Sequence, residues 1–211
     1  MKSRVKNQNT KYLTYGFVAV ILFFYLYNLL INGLDAITGA TPHQMLEVGA
    51  LTESSNKWKL LSSLFVHGSI GHLLMNIVLL IILGNIVNNE YGKILFVIIF
   101  IFSGLLGNVF TILINHSVVV FGASGSIYGF LGAFSALLIT NRNINIEKDI
   151  KLVFGVLTTV CISVIYTLIA DNVNVISHIA GLFAGFVIPL ISTSVIYVYR
   201  LSASNKNYKK G

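Results

Sequence analysis

Residues 94–114 read ILFVIIFIFSGLLGNVFTILI and contain no charged side chain. A helix of these 21 residues is roughly 32 Å long, which is about the thickness of the hydrocarbon core of a bilayer. The stretch therefore predicts a transmembrane helix. The whole chain shares this character, because 55% of its 211 residues are hydrophobic and only 10% are charged, a balance that excludes an ordinary soluble domain.

Five more apolar runs lie on either side of this stretch. They cover residues 12–31, 70–87, 124–140, 150–170 and 173–199, and the run at 124–140 is noticeably short. Short polar connections place sequence neighbours antiparallel in a bundle. The sequence therefore predicts an all-α polytopic membrane protein, a bundle of six transmembrane helices over residues 12–199. A basic segment, residues 1–11, precedes the bundle, and a polar tail, residues 200–211, follows it.

The one long connection, residues 32–66, contains apolar side chains as well as polar ones. Trp58 lies between Lys57 and Lys59, and tryptophan is favoured at the membrane–water interface. We expect this connection to form short helices that lie against the membrane surface.

The basic residues fall almost entirely on one side of the membrane. If the N-terminus is cytoplasmic, 12 of the 14 lysines and arginines face the cytoplasm and only Lys57 and Lys59 face outward. This asymmetry follows the positive-inside rule, so we expect a multi-pass protein of the plasma membrane with both termini in the cytoplasm. The net charge of +7 reflects topology, and its scatter over four short segments argues against a nucleic-acid partner.

Strongly polar side chains inside a span cost free energy and are therefore candidates for function. The notable ones are His72 and Asn76 near the start of the second helix and His178 near the start of the sixth. Ser124 and Tyr128 lie at the start of the fourth helix. Helices two, four and six all run from the outer to the inner side, so these five side chains can share one layer near the outer surface.

The fourth helix is short because the preceding segment, residues 115–123, is expected to enter the protein before the helix begins at Ser124. Its sequence is NHSVVVFGA. Irregular backbone at membrane depth is tolerated only where it is buried in protein or lines water. The spacing therefore predicts that Ser124 begins a helix inside the membrane.

Glycines accompany both the serine and the sixth-helix histidine. They are Gly122, Gly125, Gly181 and Gly185. The last two lie three and seven residues after His178, on the same helix face. Ordinary small-residue packing between membrane helices gives the same pattern. The two explanations agree, because close packing of helix six on helix four would bring His178 within hydrogen-bond reach of Ser124.

These residue types suit nucleophilic acyl transfer. A serine hydroxyl is a weak nucleophile until a neighbouring imidazole takes its proton. Asn76, His72 and the Ser124 amide could donate hydrogen bonds to the developing oxyanion. Asp171 lies about two helical turns from His178, so we expect a Ser–His dyad without an aspartate. A transporter that uses polar helix starts as a substrate site is the competing interpretation, although the sequence shows no internal repeat.

The sequence offers little for a disulfide or a metal. Cys161 is the only cysteine and lies in mid-span, so we interpret it as a packing residue. Two histidines and an asparagine within spans could bind a metal, but there is no HExxH motif and no carboxylate within a span to complete a hydrolytic zinc site. We therefore expect no metal and no cofactor.

Three motifs, taken together and in order, resemble those of the rhomboid family of intramembrane serine proteases. HGSIGHLLMN, residues 67–76, resembles the family's H-x4-H-x3-N, and GASGSIYG, residues 122–129, resembles its G-x-S-G with a tyrosine four residues on. SHIAGLFAGF, residues 177–186, resembles its H-x2-G-x3-G. Two departures stand out, since Lys59 follows Trp58 where the family has arginine and Ser177 precedes His178 where alanine is usual.

The resemblance implies a six-helix rhomboid bundle and a set of roles. Ser124 would be the nucleophile, and His178 the general base and later the general acid. Tyr128 would stack on His178, while His72 and Asn76 would form the oxyanion site with the Ser124 amide. His67 would be structural. The implied substrates are transmembrane segments of other membrane proteins, cut near their outer ends, and the implied surroundings are membrane lipid. A non-catalytic rhomboid-like binding protein remains an alternative.

Overall fold

The computed structural model describes residues 11–140, 154–158, 160–161, 165 and 174–208. Its helices are α1 (Lys11–Asn32), α2 (Asp35–Thr38), α3 (Pro42–Glu47), α4 (Lys59–Ser62), α5 (Ile70–Ile114), α6 (Ser124–Thr140) and α7 (Val175–Tyr208). Within the described residues, the only β pairing is an isolated bridge between Leu51 and Val120. The protein is all-α, as predicted.

The helices that are long and apolar enough to cross a bilayer agree with the predicted spans. They are Tyr12–Asn32, Ile70–Ile114 and Val175–Ser192, and the shorter apolar helix is α6. The predicted fifth span, residues 150–170, lies mostly outside the described residues, and its described positions are helical. Residues 1–10 of the predicted leading segment also lie outside them. The helix α7 continues to Tyr208, so it includes most of the predicted polar tail.

The short polar connection expected between spans two and three, residues 88–93 (NNEYGK), does not form a separate loop. The helical stretch α5 runs for 45 residues and is interrupted at Gly92, where φ is 83° and ψ is 172°. Only glycine adopts this backbone conformation at low cost. Each arm of α5 has about 22 residues and is roughly 33 Å long, which matches the hydrocarbon core.

The two arms of α5 are antiparallel. The first arm begins directly after Ser69, whose side chain accepts a hydrogen bond from the amide of His72 and caps the helix. Near the end of the second arm, the Asn108 side chain donates to Ser63 Oγ at 2.8 Å, so both ends of α5 meet the same connection. We call this end of the bundle, where residues 33–69 lie, the loop end.

The long connection contains three short helices, α2 to α4, as predicted. Thr41 and Gln44 form a reciprocal capping box at the start of α3. Lys59 replaces the arginine expected from the rhomboid resemblance, and its Nζ donates to the Leu46 carbonyl at 2.6 Å. A single charged donor therefore still ties α4 to α3 within the connection.

The helix α6 lies at the centre of the bundle and is surrounded by other helices. A helix of 17 residues is therefore long enough, because it does not have to span the bilayer in contact with lipid. Ten of its residues are buried, and its Phe130 ring packs at 4.7 Å from the ring of Phe96 in the second arm of α5. In contrast, α1 exposes large apolar side chains such as Phe23 and Leu30, at 67% and 83%. Such a face suits lipid, and the protein is an integral membrane protein.

Cys161 is exposed, so the interpretation of this residue as a packing residue is wrong. Exposure of an apolar thiol costs nothing at a surface that faces lipid, which removes the physical reason for expecting burial in a membrane helix.

Candidate active site

The segment before Ser124 enters the bundle and is held there by backbone hydrogen bonds. Leu51 and Val120 exchange two such bonds, of 2.9 and 2.8 Å, and the amide of Gly122 donates to the Ser63 carbonyl at 2.8 Å. Val120 and Ala123 are buried at 3% and 0% exposure. Residues 118–123 enter the protein as predicted, whereas residues 115–117 are exposed, and α6 begins at Ser124, which remains partly exposed.

Gly122 is required for two separate reasons. Its φ of 112° disfavours any residue with a side chain. In addition, a Cβ at this position would lie 2.7 Å from Cε1 and 2.9 Å from Nε2 of His72. The His72 ring therefore lies directly against the backbone two residues before Ser124.

Asn76, the second predicted oxyanion donor, lies one turn after His72 and is 2% exposed. Its Nδ2 donates to the His72 carbonyl at 3.0 Å, which uses one of the two amide protons. The same bond holds the Asn76 side chain on the face of the helix that carries His72.

The predicted stack of Tyr128 on His178 is present. The ring centroids are 4.1 Å apart and the ring planes differ by only 8°. The Tyr128 ring covers one face of the imidazole, and His178 as a whole is buried at 8% exposure. The stack fixes the plane of the ring.

Glycines bring α6 and α7 together backbone to backbone. A Cβ at Gly181 would collide with the carbonyl oxygen of Gly125, and a Cβ at Gly185 would collide with that of Gly129. Gly181 lies three residues after His178, and Gly125 immediately follows Ser124. The predicted close packing of helix six on helix four is therefore confirmed, and it sets the turn after His178 against the residue that follows Ser124.

Ser177 occupies a notch formed by two glycines. A Cβ at Gly125 would lie 2.5 Å from Ser177 Oγ, and a Cβ at Gly107 would lie 2.9 Å from the Ser177 carbonyl oxygen. The residue is 4% exposed. The serine that departs from the rhomboid pattern thus lies between the second arm of α5 and α6, directly beside the residue that follows Ser124.

Several buried asparagines around the site were missed in the sequence, although an asparagine inside an apolar run is the same signal that singled out Asn76. Asn28 of α1 is 0% exposed and donates to the His67 carbonyl at 2.9 Å. Asn108 of α5 is 3% exposed and joins the loop end through Ser63. Both tie a transmembrane helix to the chain around the site.

His67 is fully buried at the loop end, next to the site. Its Nδ1 donates to the Phe65 carbonyl at 3.0 Å, which leaves Nε2 as an acceptor without a hydrogen-bond partner among the described residues. The ring centroid lies 4.9 Å from that of His72. Burial, reinforced by the neighbouring His72, lowers the pKa of His67 well below its usual value, so the ring is neutral.

In the part of the chain that the structure describes, no group of three or more His, Cys, Asp or Glu side chains could hold a metal ion. Asp171, the carboxylate that the sequence analysis excluded as a partner of His178, lies outside the described residues. The groups that the fold gathers at the site are therefore a hydroxyl, imidazoles, a carboxamide and backbone amides.

The fold and the site together define a polytopic membrane protein with a polar centre between two closely packed helices. The sequence model of the Rhomboid domain matches residues 54–194. The chain belongs to the rhomboid family.

Individual relatives support this assignment at low identity. The chain is 29% identical to the rhomboid protease GluP of Bacillus subtilis over 82% of its own length and 33% of that protein. It is 28% identical to RHOMBOID-like protein 1 of Arabidopsis thaliana over 69% of its length and 37% of that protein. It is also 27% identical, over 52% of its length, to a relative named inactive RHOMBOID-like protein 8. The chain thus spans about a third of the length of these relatives.

Proposed function

We propose that this protein is an intramembrane serine endopeptidase that cleaves transmembrane segments of other membrane proteins with a Ser124–His178 dyad. The observation that carries the proposal is the backbone contact of α6 with α7, which sets Gly181 on Gly125 while His178 stacks on Tyr128. Nucleophilic acyl transfer needs a hydroxyl and an imidazole that can take its proton, and these contacts hold the helix of His178 against the start of the helix that carries Ser124.

In this mechanism the Ser124 oxygen attacks the carbonyl carbon of the scissile peptide, and His178 takes the hydroxyl proton. The carbonyl electron pair moves to its oxygen, which accepts hydrogen bonds from His72, Asn76 and the Ser124 amide. When the tetrahedral intermediate collapses, the C–N bond breaks and His178 gives its proton to the leaving amine. Water then attacks the carbonyl carbon of the acyl-enzyme while His178 takes a proton from it. When the second tetrahedral intermediate collapses, the ester C–O bond breaks and His178 returns the proton to the Ser124 oxygen.

Because the proposed dyad has no carboxylate, the position of the His178 imidazole depends on Tyr128 and on the helix packing. In serine hydrolases with a triad, an acid holds the imidazole in position. Here the stacked ring and the glycine contacts fix the plane and the depth of His178 instead.

The substrate class follows from the position of the site. A helical substrate hides its carbonyl groups in its own hydrogen bonds, so cleavage requires local unwinding at small or helix-breaking residues. Ser124 lies at the loop end of the bundle, where backbone hydrogen bonds join the segment before Ser124 to the connection between α1 and α5. We place the loop end on the outer side of the plasma membrane, with both termini cytoplasmic, residues 12–199 as one membrane domain, and cleavage near the outer end of the substrate span.

The test is cleavage of a panel of single-span substrates by the purified protein in liposomes. Wild type is compared with Ser124→Ala, His178→Ala and the matched control Ser135→Ala. Ser135 is a serine of the same helix whose hydroxyl donates to the Leu131 carbonyl at 3.0 Å, its one hydrogen bond among the described residues. We expect cleavage by wild type and the control, and none by the other two variants.

A serine-directed fluorophosphonate gives a second measurement that does not depend on the choice of substrate. It should label wild type at Ser124 and should fail with Ser124→Ala. If folded wild type cleaves no substrate of the panel and is not labelled, the protein is instead a non-catalytic binding member of the family or a transporter. The resemblance to a relative named inactive gives this outcome its specific interest.

A further inference from the structure

Asn174, immediately before α7, bonds to two different helices through one oxygen. Its Oδ1 accepts a hydrogen bond from the Ser177 amide at 3.0 Å and another from the Thr111 hydroxyl at 3.0 Å. The first bond is a helix N-cap, because it satisfies one of the free amides in the first turn of α7. The second bond leaves α7 and reaches the second arm of α5.

Thr111 is well placed to anchor α7, since it is 2% exposed and lies one turn before the end of α5. Its hydroxyl also donates to the Gly107 carbonyl at 2.7 Å, so its single proton is shared between an acceptor on its own helix and Asn174. Gly107 is in turn the glycine that receives Ser177. The start of α7 is therefore joined to one short stretch of α5 by a hydrogen bond and by a close packing contact.

We propose that Asn174 is a positioning residue for His178, acting through Thr111 and Ser177. This inference rests on the proposed function, in which His178 is the general base. Four residues separate Asn174 from His178, which is one helical turn. The bond to Thr111 restrains the rotation of that turn about the axis of α7, which neither the glycine contacts nor the Tyr128 stack restrain in the same way.

Three helices then hold the histidine from three directions. The second arm of α5 holds the cap, the glycines of α6 hold the helix axis, and Tyr128 holds the ring. A displacement of about 1 Å between reacting groups can lower a rate on the order of 100-fold. Loss of the cap bond should therefore affect the chemical step more than it affects binding of the substrate.

The test compares Thr111 with a threonine that makes the bond within its own helix but is not bonded to Asn174. Thr140 of α6 donates to the Ala136 carbonyl at 2.8 Å, which is the same bond within its own helix that Thr111 makes to Gly107. Thr111→Val should lower kcat about tenfold or more, with KM within about twofold of wild type. Thr140→Val should leave both unchanged, and Thr111→Ser, which retains the hydroxyl, should restore kcat.

A substitution of Asn174 separates the effect of the helix cap from the effect of the bond to Thr111. Asn174→Ser keeps an N-capping oxygen but shortens the side chain, so it should behave like Thr111→Val and should not lower kcat further when the two are combined. Full additivity of the two variants would contradict a shared bond.

Proton NMR of the His178 ring gives a readout that does not depend on activity. The stacked Tyr128 ring shifts these signals upfield, and Thr111→Val should move them while Thr140→Val should not. If wild type proves inactive, this measurement still decides the positioning role. Unchanged ring signals together with unchanged kcat, or equal losses of kcat and thermal stability in Thr111→Val and Thr140→Val, would overturn it.

Discussion

Gly181 offers a direct way to alter the distance between Ser124 and His178 without touching either residue. A Cβ at position 181 would collide with the carbonyl oxygen of Gly125 and lie 2.9 Å from its carbonyl carbon. Comfortable separations between such atoms are about 3.5–4.0 Å. Gly181→Ala therefore forces α7 away from α6 by about 1 Å.

The expected loss follows from this displacement. His178 is one turn from Gly181 and moves with it, whereas Ser124 stays with α6. A misplacement of about 1 Å costs on the order of 100-fold in rate, or about 2.7 kcal/mol in the activation barrier. Gly181→Ala should thus lower kcat/KM about 100-fold, measured with a single-span substrate in liposomes.

The matched control is Gly16→Ala, a change in α1 where nothing lies within 4 Å of the new Cβ. It should retain wild-type activity and thermal stability. Gly181→Ala is followed by circular dichroism and thermal unfolding to show that the variant is folded. A folded Gly181→Ala protein with wild-type kcat/KM would refute the argument that backbone contact between α6 and α7 sets the catalytic geometry.

Three further predictions address the surroundings of the site. Tyr128→Phe should keep near-wild-type cleavage because the ring remains, whereas Tyr128→Leu should lower kcat about tenfold; equal activity of the two variants would argue against the stack. Lys59→Met should lower the free energy of unfolding by about 1 kcal/mol through loss of the bond to Leu46, with Lys59→Arg retaining it; thermal unfolding decides between a loss and none. Because burial lowers the pKa of His67, its contribution to stability is complete above about pH 6.5 and is lost as the pH falls, since the unfolded chain then binds a proton that the folded ring refuses. His67 should therefore contribute up to about 1.4 kcal/mol per pH unit to the slope of the unfolding free energy between pH 7.5 and 5.5, and His67→Asn should remove that part; equal slopes would contradict the assignment.

Most of the site could be predicted from sequence because its elements depend on spacing along single helices. The start of α6 at Ser124 follows from a polar and glycine-rich interruption of an apolar run. The stripe of Gly181 and Gly185 after His178 follows from helical periodicity, and its partners Gly125 and Gly129 form the corresponding stripe on α6.

The features that could not be predicted depend on backbone dihedral angles or on contacts between distant residues. NNEYGK contains polar residues typical of a loop, and nothing in its letters shows that Gly92 alone turns the chain. The bond from Thr111 to Asn174 joins residues 63 positions apart, and a threonine in a membrane helix is ordinarily satisfied by its own helix. Cys161 was misjudged because burial and exposure carry similar costs for a thiol in lipid.

The turn at Gly92 has a consequence for the biosynthesis of the protein. The two arms of α5 are separated by one non-helical residue. No separate loop is therefore present that could remain in water after the first arm has inserted into the bilayer. A first arm inserted alone would also leave its polar side chains, including Asn76, facing lipid. Insertion of the two arms together as a helical hairpin avoids this cost, so we expect ribosome-bound chains that end near Gly92 to remain in the insertion machinery until the second arm has been made.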